Sequence, residues 1–405
     1  MTELSPREEK SPASTRFAAN LWPIYVFQFC LNMHFIGGVL VPFFTQWGGI
    51  SLLQVMLLQS WFMAWIFVLE VPTGSIADKY GRKKSVMLGT IALLAAVIVY
   101  TSIPNIAVFA VGEFLWALSG ALISGAENAL VYDTLKAAGR EVESKRVFGR
   151  IGIASQLALL VAAPVGSFIA ISLGLRETML FMAFPTVVAL LAMLAVKEPA
   201  DGRNGNRSDY RAILFNGVKN LARSKPLKRL AANMIGVGII GYGTIWLYQV
   251  KLKAIGVPME FFGMMHASIV AAEILSIAVF RKLEKALKSK RRLLVLTTAV
   301  LGGSYLVLVF ANDVVPVVIA ILLAGGFGLS RFTLFNSYFN KHIPSEERAT
   351  TLSAISMFRT LAQAAFNPLL GAFTDWSLPC TFAILGAAAL VLAAFPVVKD
   401  DDLID

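Results

Sequence analysis

Long apolar runs alternate with short polar stretches along most of this chain. A run of about 20 apolar residues can cross the hydrocarbon core of a bilayer as a helix. The pattern predicts twelve such helices, six on each side of a longer polar stretch. Their ranges are 20–44, 53–75, 84–103, 107–131, 148–171, 176–196, 231–250, 259–280, 292–312, 314–339, 350–373 and 378–398.

Composition supports the same class of protein. Of the 405 residues, 57% are hydrophobic and 15% are charged. No soluble domain of this length buries that much apolar surface, so we predict an all-α polytopic membrane protein. The predicted parts are an N-terminal tail at 1–19, a six-helix bundle at 20–196, a linker at 197–230, a second six-helix bundle at 231–398 and a tail at 399–405. The polar N-terminal tail lacks the order of a signal peptide, so the first run is expected to remain a membrane helix.

The positions of the basic residues predict the orientation. If both termini lie on one side, 31 of the 36 Lys and Arg residues lie in segments on that side. Arg176, Lys251 and Lys253 lie on the other side, and Arg331 and Arg359 lie within predicted helices. Cytoplasmic loops carry the excess of Lys and Arg, so both termini are predicted to be cytoplasmic, in the inner (plasma) membrane.

The net charge of +11 is therefore explained by topology, and no nucleic-acid partner is predicted. The two cysteines form neither a disulfide framework nor a metal-binding spacing. We expect no metal, no cofactor and no enzymatic activity. The partners expected are the lipid bilayer, a small-molecule substrate and protons, and the chain is expected to act as a monomer.

The turn between the second and third predicted helices has an unusual pattern. Gly74 permits close helix packing, and Asp78 follows one turn later on the same face. Gly81 is expected to end the helix, and the cations after it, including Arg82 and Lys83, cannot enter lipid. The whole stretch reads Gly74-Ser-Ile-Ala-Asp-Lys-Tyr-Gly-Arg-Lys-Lys84.

This stretch resembles the loop motif between the second and third helices of the major facilitator superfamily, with conservative changes at Ile76 and Lys79. The resemblance implies two six-helix bundles that rock about a central cavity and move a small molecule. Further stretches resemble a large group of prokaryotic facilitators: Glu70–Gly74, Ser124–Ala126, Ala129–Asp133 and Ile343–Thr350. Antiporters of the superfamily carry a glycine-rich pattern on the fifth helix. Here Leu159 and Ala163 occupy two of its glycine positions, which argues against a drug/proton antiporter.

The resemblance also suggests a gate at the cytoplasmic side. Asp78 is expected near the start of the eleventh helix, where the helix dipole favours a carboxylate. Arg82 is expected to meet acidic groups of the fourth helix such as Asp133. Glu127, on the same helix, is expected to pair with a nearby arginine: Arg82, Arg146 or Arg150.

Charged residues inside membrane helices each need a partner or a wet cavity, because an isolated charge there costs about 3 kcal/mol or more. Glu70 and Arg359 lie at similar depth on opposite halves, so we predict an inter-half ion pair. For Glu113 two interpretations remain open, a proton-binding site near His34 or a hydrogen-bonded carboxyl lining water. Arg359 and Arg331 could alternatively capture an anionic substrate.

Polar side chains on the first, fifth, seventh, tenth and eleventh helices are predicted to line the substrate cavity. They are Gln28, Asn32, Gln156, Tyr242, Trp246, Arg331, Asn336 and Gln363. The sequence has no nucleotide-binding loop, so the favoured function is secondary transport by alternating access, coupled to protons. The alternatives are a lipid or amphiphile flippase and, from another class, a membrane sensor or scaffold that binds without transport.

Overall fold

The computed structural model describes residues 17–199, 210–344 and 347–403, and within these ranges every regular element is helical. Most of the predicted N-terminal tail, part of the linker and the last two residues lie outside them. The N-terminal half contains α1 (Leu21–Leu31), α2 (Leu52–Tyr80), α3 (Arg82–Tyr100), α4 (Ile106–Ala137), α5 (Ser144–Ser172), α6 (Leu175–Leu180) and α7 (Ala183–Ala195). After it come α8 (Tyr210–Arg223), α9 (Lys225–Ala254), α10 (Glu260–Leu287), α11 (Lys290–Phe310), α12 (Val314–Leu329), α13 (Arg331–His342), α14 (Arg348–Trp376) and α15 (Leu378–Ala394). Short helical turns follow α1, at Phe35–Val39, Leu40–Pro42 and Phe43–Trp47, and two more lie at Glu141–Glu143 and Asp400–Asp402.

In the described part of the chain, ten helical segments are long and apolar enough to cross a membrane. The helix α15 is apolar but shorter, and α14 is not among the ten. Large apolar side chains also cover much of the outside, as expected for a surface that faces lipid. The all-helical multi-pass class is therefore confirmed, while the total of twelve spans stays a prediction.

Three predicted spans are interrupted. The first breaks after α1, where residues 32–34 are not helical and a 3₁₀ turn follows. The others break between α6 and α7 and between α12 and α13. Non-helical backbone at membrane depth is tolerated where protein or a cavity surrounds it. Hydrophobicity alone does not reveal such breaks, because the side chains on both sides remain apolar.

The second span is longer than the predicted 53–75. The helix α2 continues through Pro72 to Tyr80, so that Gly74 and Asp78 lie within its last two turns. Gly81 then adopts φ = 103°, a conformation that favours glycine, and α3 begins at the next residue. The predicted helix break at Gly81 is confirmed.

The helices α1–α7 form an N-terminal half and α9–α15 a C-terminal half. They meet where α2 packs on α14 and where α5 packs on α10. We call the end with the α2–α3, α4–α5 and α10–α11 connections the basic end, since most Lys and Arg residues lie there. The opposite end, with the connections at 48–51, 255–259 and 311–313, is called the sealed end. The linker helix α8, which the sequence analysis did not anticipate, packs against the start of α14.

Candidate functional site

Close backbone contacts join the two halves at the sealed end. A Cβ atom added to Gly38 would lie 2.6 Å from the Cα of Gly263 on α10. One added to Gly263 would lie 2.0 Å from the carbonyl oxygen of Ala163 on α5. Only glycine allows three backbone segments to approach this closely, so these positions let the two halves fit together.

Hydrogen bonds reinforce this contact. The side chain of Gln249 on α9 accepts from the backbone N–H of Val41 at 2.9 Å and donates to the carbonyl of Gly37 at 3.2 Å. The hydroxyl of Ser60 on α2 donates to the carbonyl of Ala364 on α14 at 2.7 Å. Most of these inter-half bonds use a backbone group of one half, so they require the halves to be in register.

Aspartate 375 makes the most unusual inter-half contact. It lies near the end of α14, and its carboxylate accepts hydrogen bonds from the backbone N–H groups of Leu52 and Leu53, at 3.1 and 2.9 Å. These residues begin α2 in the other half. Among the described residues, every hydrogen bond between the halves lies at the sealed end or near Ser60.

At the basic end, ion pairs form inside each half. Arg82 pairs with Asp133 in the N-terminal half, which confirms that predicted contact, and also donates to the carbonyl of Ala129 at 3.0 Å. Arg229 pairs with Asp402 at 2.5 Å in the C-terminal half. No ion pair between described residues joins the halves.

The predicted partner of Glu127 is wrong. Its carboxylate accepts a hydrogen bond from the side-chain amide of Gln28 on α1, not from an arginine. Asn32 donates to the carbonyl of Gln28 at 2.8 Å, and Ser155 on α5 lies 3.2 Å from the Gln28 side-chain oxygen. Arg82 pairs with Asp133, and Arg146 and Arg150 are exposed, so a neutral amide is the partner of this carboxylate. Two predicted cavity residues, Gln28 and Asn32, thus belong to one polar cluster.

The other residues of the predicted gate lie apart from the C-terminal half. Asp78 is exposed, and a Cβ on Gly74 would meet nothing within 4 Å. Lys83 donates to the carbonyl of Leu194 at 2.8 Å, and its own backbone N–H donates to Glu198 at 3.2 Å. The basic turn is therefore fixed to its own half, and its role as a gate stays a prediction.

The predicted inter-half pair is also separated in this structure. Glu70 is exposed, whereas Arg359 is half-buried with its guanidinium 4.8 Å from the centre of the Phe332 ring. The pair was expected to form when the basic end closes. Its existence in that conformation stays a prediction.

A buried carboxyl and a histidine line one cavity of about 240 Å³ in the N-terminal half. Glu113 is 4% exposed and accepts a hydrogen bond from Gln59 at 2.7 Å, and the hydroxyl of Tyr100 lies beside it. His34 lies at the break after α1, with its ring edge-on to Trp116 on the cavity wall. No cation within the described chain forms an ion pair with Glu113.

The remaining predicted cavity residues have different surroundings. Tyr242 and Trp246 on α9 pack edge to face, with 6.3 Å between their ring centres, and the Trp246 side chain is buried. Gln156 and Asn336 are half-buried, and Gln363 is buried on α14.

Arginine 331 does not face an open cavity. It is 1% exposed, and its guanidinium donates to Asn233 at 2.8 Å and to Thr297 at 3.1 Å. The ring of Phe335 packs against it. Its neighbours are therefore α9 and α11 of its own half. Its predicted contact with substrate would require this side chain to leave those partners.

Several residues of the site were missed by the sequence analysis. Gln59, Tyr100 and Trp116 complete the Glu113 cavity, and Gln249 and Asp375 join the halves. A signal was available for two of them. Gln59 interrupts an apolar run, and Asp375 is an acidic residue two positions after the predicted helix 350–373.

Comparisons with known proteins agree with this architecture. Residues 22–367 match the family model described as Major Facilitator Superfamily. The chain is 23% identical over 331 residues to "Multidrug resistance protein 2" of Bacillus subtilis (strain 168), covering 78% of this chain and 79% of that protein. The fold is similar to the crystal structure of the nucleoside transporter NupG, with a TM-score of 0.75, 14% identity and coverage of 94% of this chain and 98% of that one. It is also similar to a bacterial homolog of the human lysosomal transporter Spinster in an inward-facing and unoccupied conformation, with a TM-score of 0.73, 15% identity and coverage of 97% and 98%.

Proposed function

This chain belongs to the Major Facilitator Superfamily, and we propose that it is a proton-coupled secondary transporter of a lipophilic small molecule. In this proposal α14 and α15 also cross the membrane, giving twelve spans. The basic end faces the cytoplasm of the cell, by the excess of Lys and Arg there, and both termini lie on that side of the inner membrane. The transporter works as a monomer.

Alternating access is supported by the unequal contacts between the halves. The sealed end is joined by backbone contacts and hydrogen bonds, whereas Glu70, Gly74 and Asp78 lie apart from the other half. This arrangement suits an inward-open state. Closure of the basic end together with opening of the sealed end would expose the space between the halves to the opposite side of the membrane.

The buried carboxyl of Glu113 carries the proposal of proton coupling. Its hydrogen-bond partners, Gln59 and Tyr100, are neutral, and its side chain lines a cavity beside His34. Inside a membrane a carboxylate without a counter-ion is costly, so the neutral form is favoured until the cavity becomes wet. A conformational change that hydrates the cavity would then release the proton, which links proton movement to the opening of one end.

The substrate class is proposed from the cavity wall and from one relative. The cavity is lined mainly by apolar and aromatic side chains, and its polar groups include Glu113, His34, Gln59 and the hydroxyl of Tyr100. Such a wall suits a lipophilic molecule with a small polar part. The relative named Multidrug resistance protein 2 supports the same class, although Leu159 and Ala163 occupy glycine positions of the antiporter pattern.

The test is transport into proteoliposomes, with a panel of fluorescent lipophilic amines as probes. We expect the wild type to accumulate at least one probe under a pH gradient. Glu113→Gln should abolish this accumulation but retain exchange of probe across the membrane, because exchange needs no net proton movement. Glu273→Gln is the matched control, since it removes a carboxyl from α10 outside the Glu113 cavity.

Two results would contradict the proposal. Accumulation that is unchanged in Glu113→Gln would remove this residue from proton coupling. Binding of the probes without any flux in the wild type would instead favour the alternative of a membrane sensor or scaffold.

A further inference from the structure

The start of α2 is capped twice, once by its own half and once by the other. Ser51 and Gln54 form a capping box within the N-terminal half. Asp375 of the C-terminal half accepts hydrogen bonds from the next two backbone N–H groups, those of Leu52 and Leu53. The first N–H groups of a helix have no partner within it, and its dipole attracts a negative charge there. The carboxylate therefore stabilises the contact between the halves by charge as well as by hydrogen bonding.

A basic side chain does not hold this carboxylate. Asp375 lines a cleft of about 280 Å³ that also includes Thr45, Gln249 and Lys253. Lys253 forms no ion pair with Asp375 in the described chain. The N-terminal start of α2 is thus the partner of Asp375. Because the cleft is open, water can replace these hydrogen bonds when the halves separate.

The helices α2 and α14 run antiparallel and have 29 residues each. Their contacts pass from Leu52 and Asp375 to Ser60 and Ala364. If the pairing continues, Asp78 lies level with the start of α14 at Arg348, because both are a similar number of residues farther on. Each helix therefore has an aspartate near its C-terminal end. Asp375 contacts the N-terminal end of α2, whereas Asp78 is exposed and lies apart from α14 in this conformation.

We propose that Asp375 is a clamp for the sealed end, at the opposite end of the α2–α14 pair from the gate that the family resemblance implies for Asp78, which acts as the second clamp. Only one clamp is closed at a time. Asp375 caps α2 in the conformation described here, and Asp78 caps α14 when the halves rock the other way. This inference rests on the proposed alternating access. It adds a positioning residue, Asp375, that sets the balance between the two conformations without contacting substrate.

The test measures distances between spin labels in the full-length protein in proteoliposomes. One pair, at Gln46 and Asn312, reports on the sealed end, and the other, at Lys136 and Lys282, reports on the basic end. All four positions are exposed. Asp375→Asn leaves one acceptor oxygen and no charge, so the ratio of sealed-end-open to sealed-end-closed molecules should rise about tenfold, which corresponds to roughly 1.4 kcal/mol. The basic-end distance should shorten in the same molecules.

Asp313→Asn is the matched control. Asp313 lies at the same end, is exposed and forms no side-chain cap on α12, so its substitution should leave both distances unchanged. A second variant removes the partner instead. Leu52→Pro deletes one donor, and proline fits there because it occupies the first helical position after an extended Ser51. It should shift the ratio in the same direction as Asp375→Asn, by a smaller factor.

The two aspartates should have opposite effects. Asp78→Asn should lower the ratio of sealed-end-open to sealed-end-closed molecules, and the ratio for the Asp78→Asn/Asp375→Asn double variant should lie between those of the single variants. Suppose that the wild type switches between conformations with pH or probe. If Asp375→Asn and Leu52→Pro then both show the same distances as the wild type, the clamp is overturned. A wild type with a single fixed set of distances under all conditions would overturn the clamp together with alternating access.

Discussion

The two ends of the interface between the halves are stabilised in different ways. At the sealed end the halves share backbone contacts at Gly38 and Gly263 and hydrogen bonds from Gln249 and Asp375. At the basic end the charged groups are satisfied within each half, as in Arg82–Asp133 and Arg229–Asp402. The arrangement at the basic end lets the halves separate at a low cost in free energy, because no charge loses its partner when they part.

This difference predicts which kind of substitution should disturb each end. A sealed end that depends on close fit is sensitive to added volume. A basic end with internal ion pairs is sensitive to charge removal, but mainly through the stability of one half. The following predictions separate these two kinds of effect, beginning with the largest.

The largest effect is expected for Gly263→Leu. A side chain there would overlap the backbone of Ala163, so the sealed end cannot close. Transport should be abolished, and the distance between labels at Gln46 and Asn312 should be long in nearly all molecules. Gly303→Leu is the control, because a Cβ on Gly303 meets nothing within 4 Å. A normally closed sealed end in Gly263→Leu would show that the helices can shift to make room.

The next effect concerns the ion pair within the C-terminal half. The Asp402 side chain is 1% exposed and accepts from Arg229 and from the backbone of Lys399. Asp402→Asn should lower the free energy of unfolding by about 1–3 kcal/mol, reduced from the value for a fully buried pair because Arg229 is partly exposed. Thermal unfolding in detergent measures this change. Asp401→Asn is the exposed neighbouring control, and an equal loss in both variants would contradict the prediction.

A smaller effect is expected for the pair that attaches the basic turn to α4. Asp133→Asn leaves Arg82 its bond to the Ala129 carbonyl, so the stability should fall by about 1 kcal/mol or less. Thermal unfolding measures the loss, and Glu141→Gln, at an exposed position, is the control. Because the pair lies within one half, the spin-label distances should barely change. A large shift at the basic end would show that Asp133 acts directly in the gate.

The smallest effect concerns Glu70 and Arg359, which are separated here. Coupling between them should be absent while the basic end is open and should reach about 0.5–1 kcal/mol when it is closed. A double-mutant cycle with Glu70→Gln and Arg359→Gln, read from the basic-end distances, measures this coupling. The single variants should favour the open basic end. If no conformation shows coupling, Arg359 becomes available to an anionic substrate.

Much of the fold was predictable because lipid restricts the possible structures. Long apolar runs must form helices there, and the positions of Lys and Arg define one end of the molecule. The break at Gly81 was also predictable, since glycine precedes a run of cations. The interruptions at residues 32–34 and at Ser330 were not, because a helix can stop inside an apolar run when the surrounding protein satisfies its backbone.

The candidate site was predictable only in part. The sequence identified Glu113 and His34 by their cost in lipid and placed them near each other, and they line one cavity. Apart from the Arg82–Asp133 pair, which the family resemblance indicated, it did not identify the partners of these polar groups, because they depend on the packing of distant helices. Gln28 bonds with Glu127, and Arg331 bonds with Asn233 and Thr297, across separations of many residues.

The sequence by itself determined the helical membrane class, the basic end and the set of costly polar residues, because these follow from the transfer of side chains and backbone into lipid. Only the tertiary structure decided which end is joined, that Glu127 bonds with Gln28 and that Asp375 caps a helix of the other half. These features depend on the relative positions of elements that are far apart in the chain. The amino-acid composition of a short segment does not specify those positions.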